Sequence, residues 1–99
     1  MKRLAVLVKN EKVDAVIGSL RELNLDAIIY DVKSAGKETE QTRSGRGTSA
    51  TSSHLPRKII ATIVDSEKVQ STSDAIKKSI AGDSKGVIIV TEVDEFIPF

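Results

Sequence analysis

Apolar positions along this chain follow two alternating rhythms. Leu4-Ala5-Val6-Leu7-Val8 is a continuous apolar run, closed by the polar Lys9-Asn10-Glu11. A short run of this kind fits a strand that is central in a sheet or buried on both faces. Val13, Val16, Ile17, Leu20 and Leu23 then recur at helical spacing and form one apolar stripe. Asn10 is placed to cap that helix, Glu11 suits its positive start, and Asn24 is placed to stop it in a left-handed conformation. Residues 27–33 predict a second strand, with Ile28, Tyr30 and Val32 on one face. Residues 58–64 predict a third. Asp65-Ser66 offers cap oxygens to a second helix, with Val69, Ser73, Ile76 and Ile80 as its stripe and Lys77 and Lys78 near its negative end. Residues 87–90 predict a fourth strand, and Val93 to Phe99 form a short apolar tail.

The order is β-α-β-β-α-β, the split arrangement called ferredoxin-like. It predicts one α+β domain over residues 1–99: a four-stranded antiparallel sheet with two helices on one face. The first, third and fourth strands are apolar on both faces, so the uncovered face points to self-association, sheet against sheet.

Between the second and third strands the character changes. Residues 34–55 hold five Ser, four Thr and three Gly among 22 residues, with almost no apolar anchor. Loops beyond about 12–15 residues are uncommon inside compact domains and are usually functional or disordered. The composition predicts a long, flexible loop, ended by Pro56.

Composition narrows the function. Lys and Arg number 15 against 14 Asp and Glu, so there is no large basic field for coating nucleic acid. The aromatics are Tyr30, Phe96 and Phe99, too few for a base-stacking platform, and none lies in the first or third strand. There is no Cys, and His54 is the only His, which excludes disulfides, thiolate zinc sites and a His cluster within one chain. No apolar run approaches the roughly 20 residues of a membrane span, and no secretory pattern opens the chain, so the expected location is the cytoplasm without membrane insertion.

No acid–base or nucleophile constellation stands out, and His54 beside Ser52 and Ser53 does not make triad geometry. The reading is a non-enzyme without a prosthetic group or metal. Anion chemistry has better candidates. Ser34-Ala35-Gly36-Lys37-Glu38 and Gly82-Asp83-Ser84-Lys85-Gly86 combine Gly, which permits close backbone approach, with a Lys countercharge. Neither has the spacing of a phosphate loop or a dinucleotide fingerprint. Arg43-Ser44-Gly45-Arg46-Gly47 is a small basic patch whose charge Glu38 and Glu40 offset.

Taken in order, these segments resemble the PII signal-transduction proteins, the nitrogen regulatory protein P-II family. Met1-Lys2-Arg3-Leu4 through Lys9, with Lys12, Asp14, Val16 and Leu20, resembles the family's opening. Val32-Lys33-Ser34-Ala35-Gly36-Lys37 sits where the family begins its long T-loop, and Leu55-Pro56-Arg57 where it closes. Ile63-Val64-Asp65 resembles the strand end before the second helix. Residues 81–86 resemble the B-loop, followed by Val87-Ile88-Ile89-Val90 and Val93-Asp94-Glu95. Together they cover essentially the whole chain.

The resemblance implies a homotrimer that binds an adenine nucleotide (ATP, ADP or AMP) as effector in clefts between subunits. The T-loop would then dock on a partner, a membrane transporter or a metabolic enzyme. It implies that Gly36, Lys37 and Glu38 lie at the T-loop base, that Arg57 meets phosphate or 2-oxoglutarate, and that Gly82, Asp83, Lys85 and Gly86 wrap phosphates. It further implies that Leu7 and Val64 line the base pocket, and that Arg43, Ser44, Gly45, Arg46, Gly47, Thr48 and Ser49 meet the partner. Glu38 departs from the family's glutamine, and residues 34–55 hold no Tyr for uridylylation. An ACT-like or CutA-like ligand- or metal-binding module, and an RNA-binding module of the same strand order, are the alternatives. The long loop and the missing strand aromatics speak against them.

Overall fold

The structure is a computed structural model that describes residues 1–43, 49–80, 82 and 85–99, with residues 37–43 and 49–53 described as backbone only. It forms the expected four-stranded antiparallel sheet. β1 is Lys2–Val8, β2 Ile28–Arg43, β3 Ser49–Val64 and β4 Val87–Glu92. The strand order is β2-β3-β1-β4, with every neighbouring pair antiparallel. Helices α1 (Val13–Glu22) and α2 (Val69–Ser79) supply the two crossings. This is the ferredoxin-like arrangement.

The register assigns each side chain to a face, because paired residues point the same way. Leu4, Val6 and Val8 of β1 share a face with Ile60, Thr62 and Val64 of β3. That face meets Val13, Val16 and Leu20 of α1 and Ile76 of α2 in one buried cluster. Leu25, Ile17, Val69, Ile80 and Ile88 close its margin. The one hydroxyl drawn into this layer on β3, that of Thr62, donates to the Asp26 carbonyl at 2.7 Å, which ties the start of β2 to β3.

The first helix ends as its sequence suggests. Asn24 has φ of 58°, the left-handed region that Asn tolerates. Its N–H bonds to the Arg21 carbonyl, and the Leu25 N–H reaches back to the Leu20 carbonyl, both at 2.9 Å. This pair of bonds is the Schellman motif, and Leu25 packs on the core beside Leu20 as that motif favours. Leu23, expected on the apolar stripe, is instead 41% exposed, as the C-cap residue that follows the last helical position, Glu22.

The helix starts need correction. Asn10 does not cap α1, and Asp65 makes no side-chain cap bond. Each helix is entered through a 3₁₀ turn, Asn10–Lys12 or Ser66–Lys68, preceded by an extended residue, Lys9 or Asp65. The Lys9 and Asp65 backbone carbonyls accept the first bonds, from Lys12 N–H at 3.0 Å and Lys68 N–H at 2.9 Å. A tight turn satisfies those amides from the main chain and leaves the side-chain oxygens unused.

The stretch expected as a loop over residues 34–55 is shorter than its composition suggests. The β2–β3 ladder continues outward through Lys33↔Pro56, Ser34↔Leu55 and Ala35↔His54, and resumes from Glu40↔Ser52 to Arg43↔Ser49. The interruption between Ala35 and Glu40 is a bulge-like shift of register. Gly36 lies in it with φ of 152°. Polar, Thr-rich sequence is compatible with strand pairing when a partner strand supplies the hydrogen bonds. Ser44, Gly45, Arg46, Gly47 and Thr48 lie outside the described residues.

Candidate functional site

One end of the sheet collects several of the residues singled out for anion chemistry. β1 ends there at Val8, opposite Lys58 of β3, and its Leu7 pairs with Ile59 on one side and Val87 on the other. The base of the long β2–β3 excursion therefore flanks β1 on one side, and the segment leading into β4 flanks it on the other. β1 feeds directly into the 3₁₀ turn of α1, so the start of that helix sits at the same end.

Arg57 occupies the excursion's root. Although charged, it is only 8% exposed, and its Nη1 donates to the Pro56 carbonyl at 2.7 Å. Two adjoining clefts share Asn10, Pro56 and Arg57. One, of 260 Å³, adds Asp31, Val32 and Lys33; the other, of 340 Å³, adds Lys9 and Glu11. Small-molecule sites commonly run from about 300 to 1,000 Å³ and enclose most of their ligand. These two clefts stand at the lower end of that range. Lys58 is committed to an ion pair with Asp31, its register partner on β2.

Across β1, Gly82 has φ of 109°, a conformation that strains any residue with a Cβ. Lys85 is exposed. Gly86 is held closely: a Cβ there would lie 3.2 Å from Ile80 Cδ1 and 3.3 Å from both the Leu7 carbonyl oxygen and Val8 Cγ1. Packing against the end of β1 is therefore reason enough for glycine at this position. Asp83 lies outside the described residues.

Leu7, Arg57, Lys85 and Gly86 are thus brought to one end, and Gly36 lies further out along the β2–β3 ladder. Val64 is not with them. It pairs with Lys2, whereas Leu7 pairs with Ile59. Five residues along β3 separate Ile59 from Val64, roughly 16 Å at strand rise. Within one chain Leu7 and Val64 cannot line the same pocket. Val64 instead borders a groove at the opposite end with Met1, Leu25 and Thr72.

Of the loop residues, Arg43 and Ser49 pair with each other at the outer end of the described ladder. Lys37 and Glu38 are described only through their backbone. His54 is exposed opposite Ala35. Among the described residues no group of three or more His, Cys, Asp or Glu is placed to hold a metal. No described helix is long and apolar enough to cross a membrane. Asn10, expected as a helix cap, instead borders both clefts, and its signal in the sequence is its position soon after the first strand.

The other face of the sheet is uncovered. Ile28, Tyr30, Val87 and Ile89 on it are 42–62% exposed, and Ile59 and Ile63 lie between them.

Comparison with known proteins agrees with this architecture. The family model described as nitrogen regulatory protein P-II matches residues 1–98. Nitrogen regulatory protein P-II 1 of Methanothermobacter thermautotrophicus is 28% identical over 100 residues, covering 98% of this chain and 87% of that protein. The nitrogen regulatory protein P-II of Mesorhizobium japonicum is 28% identical over 102 residues, covering 98% and 89%.

Proposed function

The chain belongs to the nitrogen regulatory protein P-II family, and from that premise we propose that it is a trimeric, non-enzymatic signal-transduction regulator. It binds an adenine nucleotide between subunits and docks the β2–β3 excursion on a partner, a transporter or a metabolic enzyme.

The observation that carries this reading is the separation of Leu7 from Val64. Residues that resemble two parts of one base pocket stand at opposite ends of the same sheet, so a pocket containing both needs two chains. The apolar, uncovered sheet face supports the association that would bring them together. Arg57 and Lys85 supply positive charge for phosphates on either side of β1, and the start of α1 adds backbone N–H groups at the same end. Binding there bears on the root of the excursion, where Arg57 and Pro56 sit. Couplings of about 1–3 kcal/mol suffice to switch a loop between two arrangements.

The test is calorimetric titration with ATP, ADP, AMP, cyclic AMP and 2-oxoglutarate, alongside light scattering. A trimer that gives heat with one adenine nucleotide is expected. Glu38→Gln should strengthen any 2-oxoglutarate response by removing a like charge. A monomer, or no heat with any of these nucleotides, overturns the reading.

A further inference from the structure

The open sheet face is mostly apolar, and a basic side chain interrupts it at the end away from Arg57. Arg3 pairs in register with Ile63 of β3 and Thr91 of β4, so it stands on the open face while its neighbour Leu4 lies in the core. Arg3 is half-buried and, among the described residues, makes no ion pair. Covering this face with a second layer withdraws the guanidinium from water, which is costly unless a carboxylate meets it. The open-face positions of residues 3–7, 28–32, 57–63 and 87–91 hold no acid.

A carboxylate does stand at the rim of the same row. Asp26 lies between Leu25, which packs on the core, and β2, whose Ile28 is on the open face. Alternation along this stretch turns Asp26 to the open side. The Thr62 hydroxyl donates to its carbonyl at 2.7 Å and holds its backbone beside β3. Asp26 is exposed, and its carboxylate is unpaired among the described residues. Continuing the β2–β3 register by two residues sets it opposite Ile63. The last row of the open face thus reads Asp26, Ile63, Arg3, Thr91.

Within one chain Asp26 and Arg3 are two strand spacings apart, roughly 10 Å, with Ile63 between them, and they do not pair. A row with an acid at its rim and a base near its middle is complementary to a second copy displaced sideways. Asp26 of that copy then comes over Arg3 of the first, and apolar surface meets apolar surface elsewhere. Contacts of this head-to-tail kind close into rings.

We propose that Arg3 of one copy pairs with Asp26 of the next, so that each interface of the assembly carries one such pair and all copies present the same sheet end together. This rests on the trimeric reading above and adds to it the charged groups that fix the order and direction of the copies. The apolar face supplies the attraction, and the pair disfavours arrangements that bury Arg3 alone.

The test reads the protein concentration at which the assembly half dissociates, by light scattering over a dilution series in a fixed, sub-denaturing urea concentration. Far-ultraviolet circular dichroism checks that each variant is folded. Arg3→Glu brings two carboxylates together and Asp26→Arg two guanidinium groups, so each should raise that concentration by about tenfold or more. Both changes in one chain should return it to within about threefold of the wild-type value. Mixing the two single variants should also promote assembly, because each supplies the charge that the other lacks. Rescue by the double variant but not by mixing marks a pair confined to single chains and overturns the proposal. So does a single variant that assembles like the wild-type chain. If reversed charges prevent folding, Arg3→Gln and Asp26→Asn replace them: each should weaken assembly, and both together should cost no more than one alone, whereas additive losses sink the pairing. A trimer indifferent to all these variants overturns only the Arg3–Asp26 pair, and a wild-type monomer overturns the trimeric reading as well.

Discussion

The two faces of this sheet are built from the same kinds of side chain and differ in what covers them. On one face Leu4, Val6 and Ile60 are fully buried under α1 and α2. On the other, Ile28, Val87 and Ile89 are about half exposed. Hydrophobic sequence alone therefore does not mark the core of a chain. It marks surface suited to burial, and here the chain itself covers one face while large apolar side chains on the other stay exposed.

The largest expected effect breaks this comparison if it is wrong. Ile76→Ala removes a fully buried side chain from the α2 stripe and should cost about 2–5 kcal/mol in urea unfolding. Ile59→Ala, on the open face, should cost the chain itself far less. Equal losses would mean that the two faces do not differ within the folded chain.

A charge placed on the open face probes the association directly. Ile28→Asp should shift the particle toward monomer in light scattering while far-ultraviolet circular dichroism stays unchanged. A trimer of undiminished stability would remove this face from the interface. Site chemistry comes next in size. Arg57→Ala or Lys85→Ala should weaken adenine-nucleotide binding roughly ten- to a hundred-fold, the loss of one charge-assisted contact worth about 1.5–3 kcal/mol, with assembly preserved. Gly86→Ala is a poor substitute for these variants, since its Cβ would press on Ile80, Leu7 and Val8 at 3.2–3.3 Å and require them to give way whatever the ligand does.

The smallest effect belongs to the sheet's other end. Lys2 donates a hydrogen bond to Glu92 and lies beside it as a countercharge, which holds the Glu92 carboxyl below the usual carboxylate range. A lowered folded-state pKa stabilises above the ordinary pKa and loses that contribution as pH falls through the folded one. The stability difference between the wild-type chain and Glu92→Gln should therefore be greatest near neutrality and shrink in acid. It should be slight throughout and smaller still in salt, because the pair is solvent-exposed. A difference that grew as pH fell would contradict the assigned pairing.

Much of the fold was legible in local chemistry. The stripe Val13, Val16, Leu20 specified α1, Asn24 specified its left-handed end, and the doubly apolar runs specified the strands and the need for a second covered face. These signals work because helix periodicity, the energetics of the left-handed region and the alternation of strand side chains all depend on near neighbours in sequence. Other features depend on distant residues. The ladder from Glu40↔Ser52 to Arg43↔Ser49 joins polar stretches with no apolar pattern, so only the partner strand reveals it. The close packing of Gly86 against Leu7 and Val8 is of the same kind. So is the placement of Arg57 and Lys85 at one end of the sheet and Val64 at the other. Those positions were set by antiparallel register, a relation between strands 50 or more residues apart that no local stretch of sequence contains.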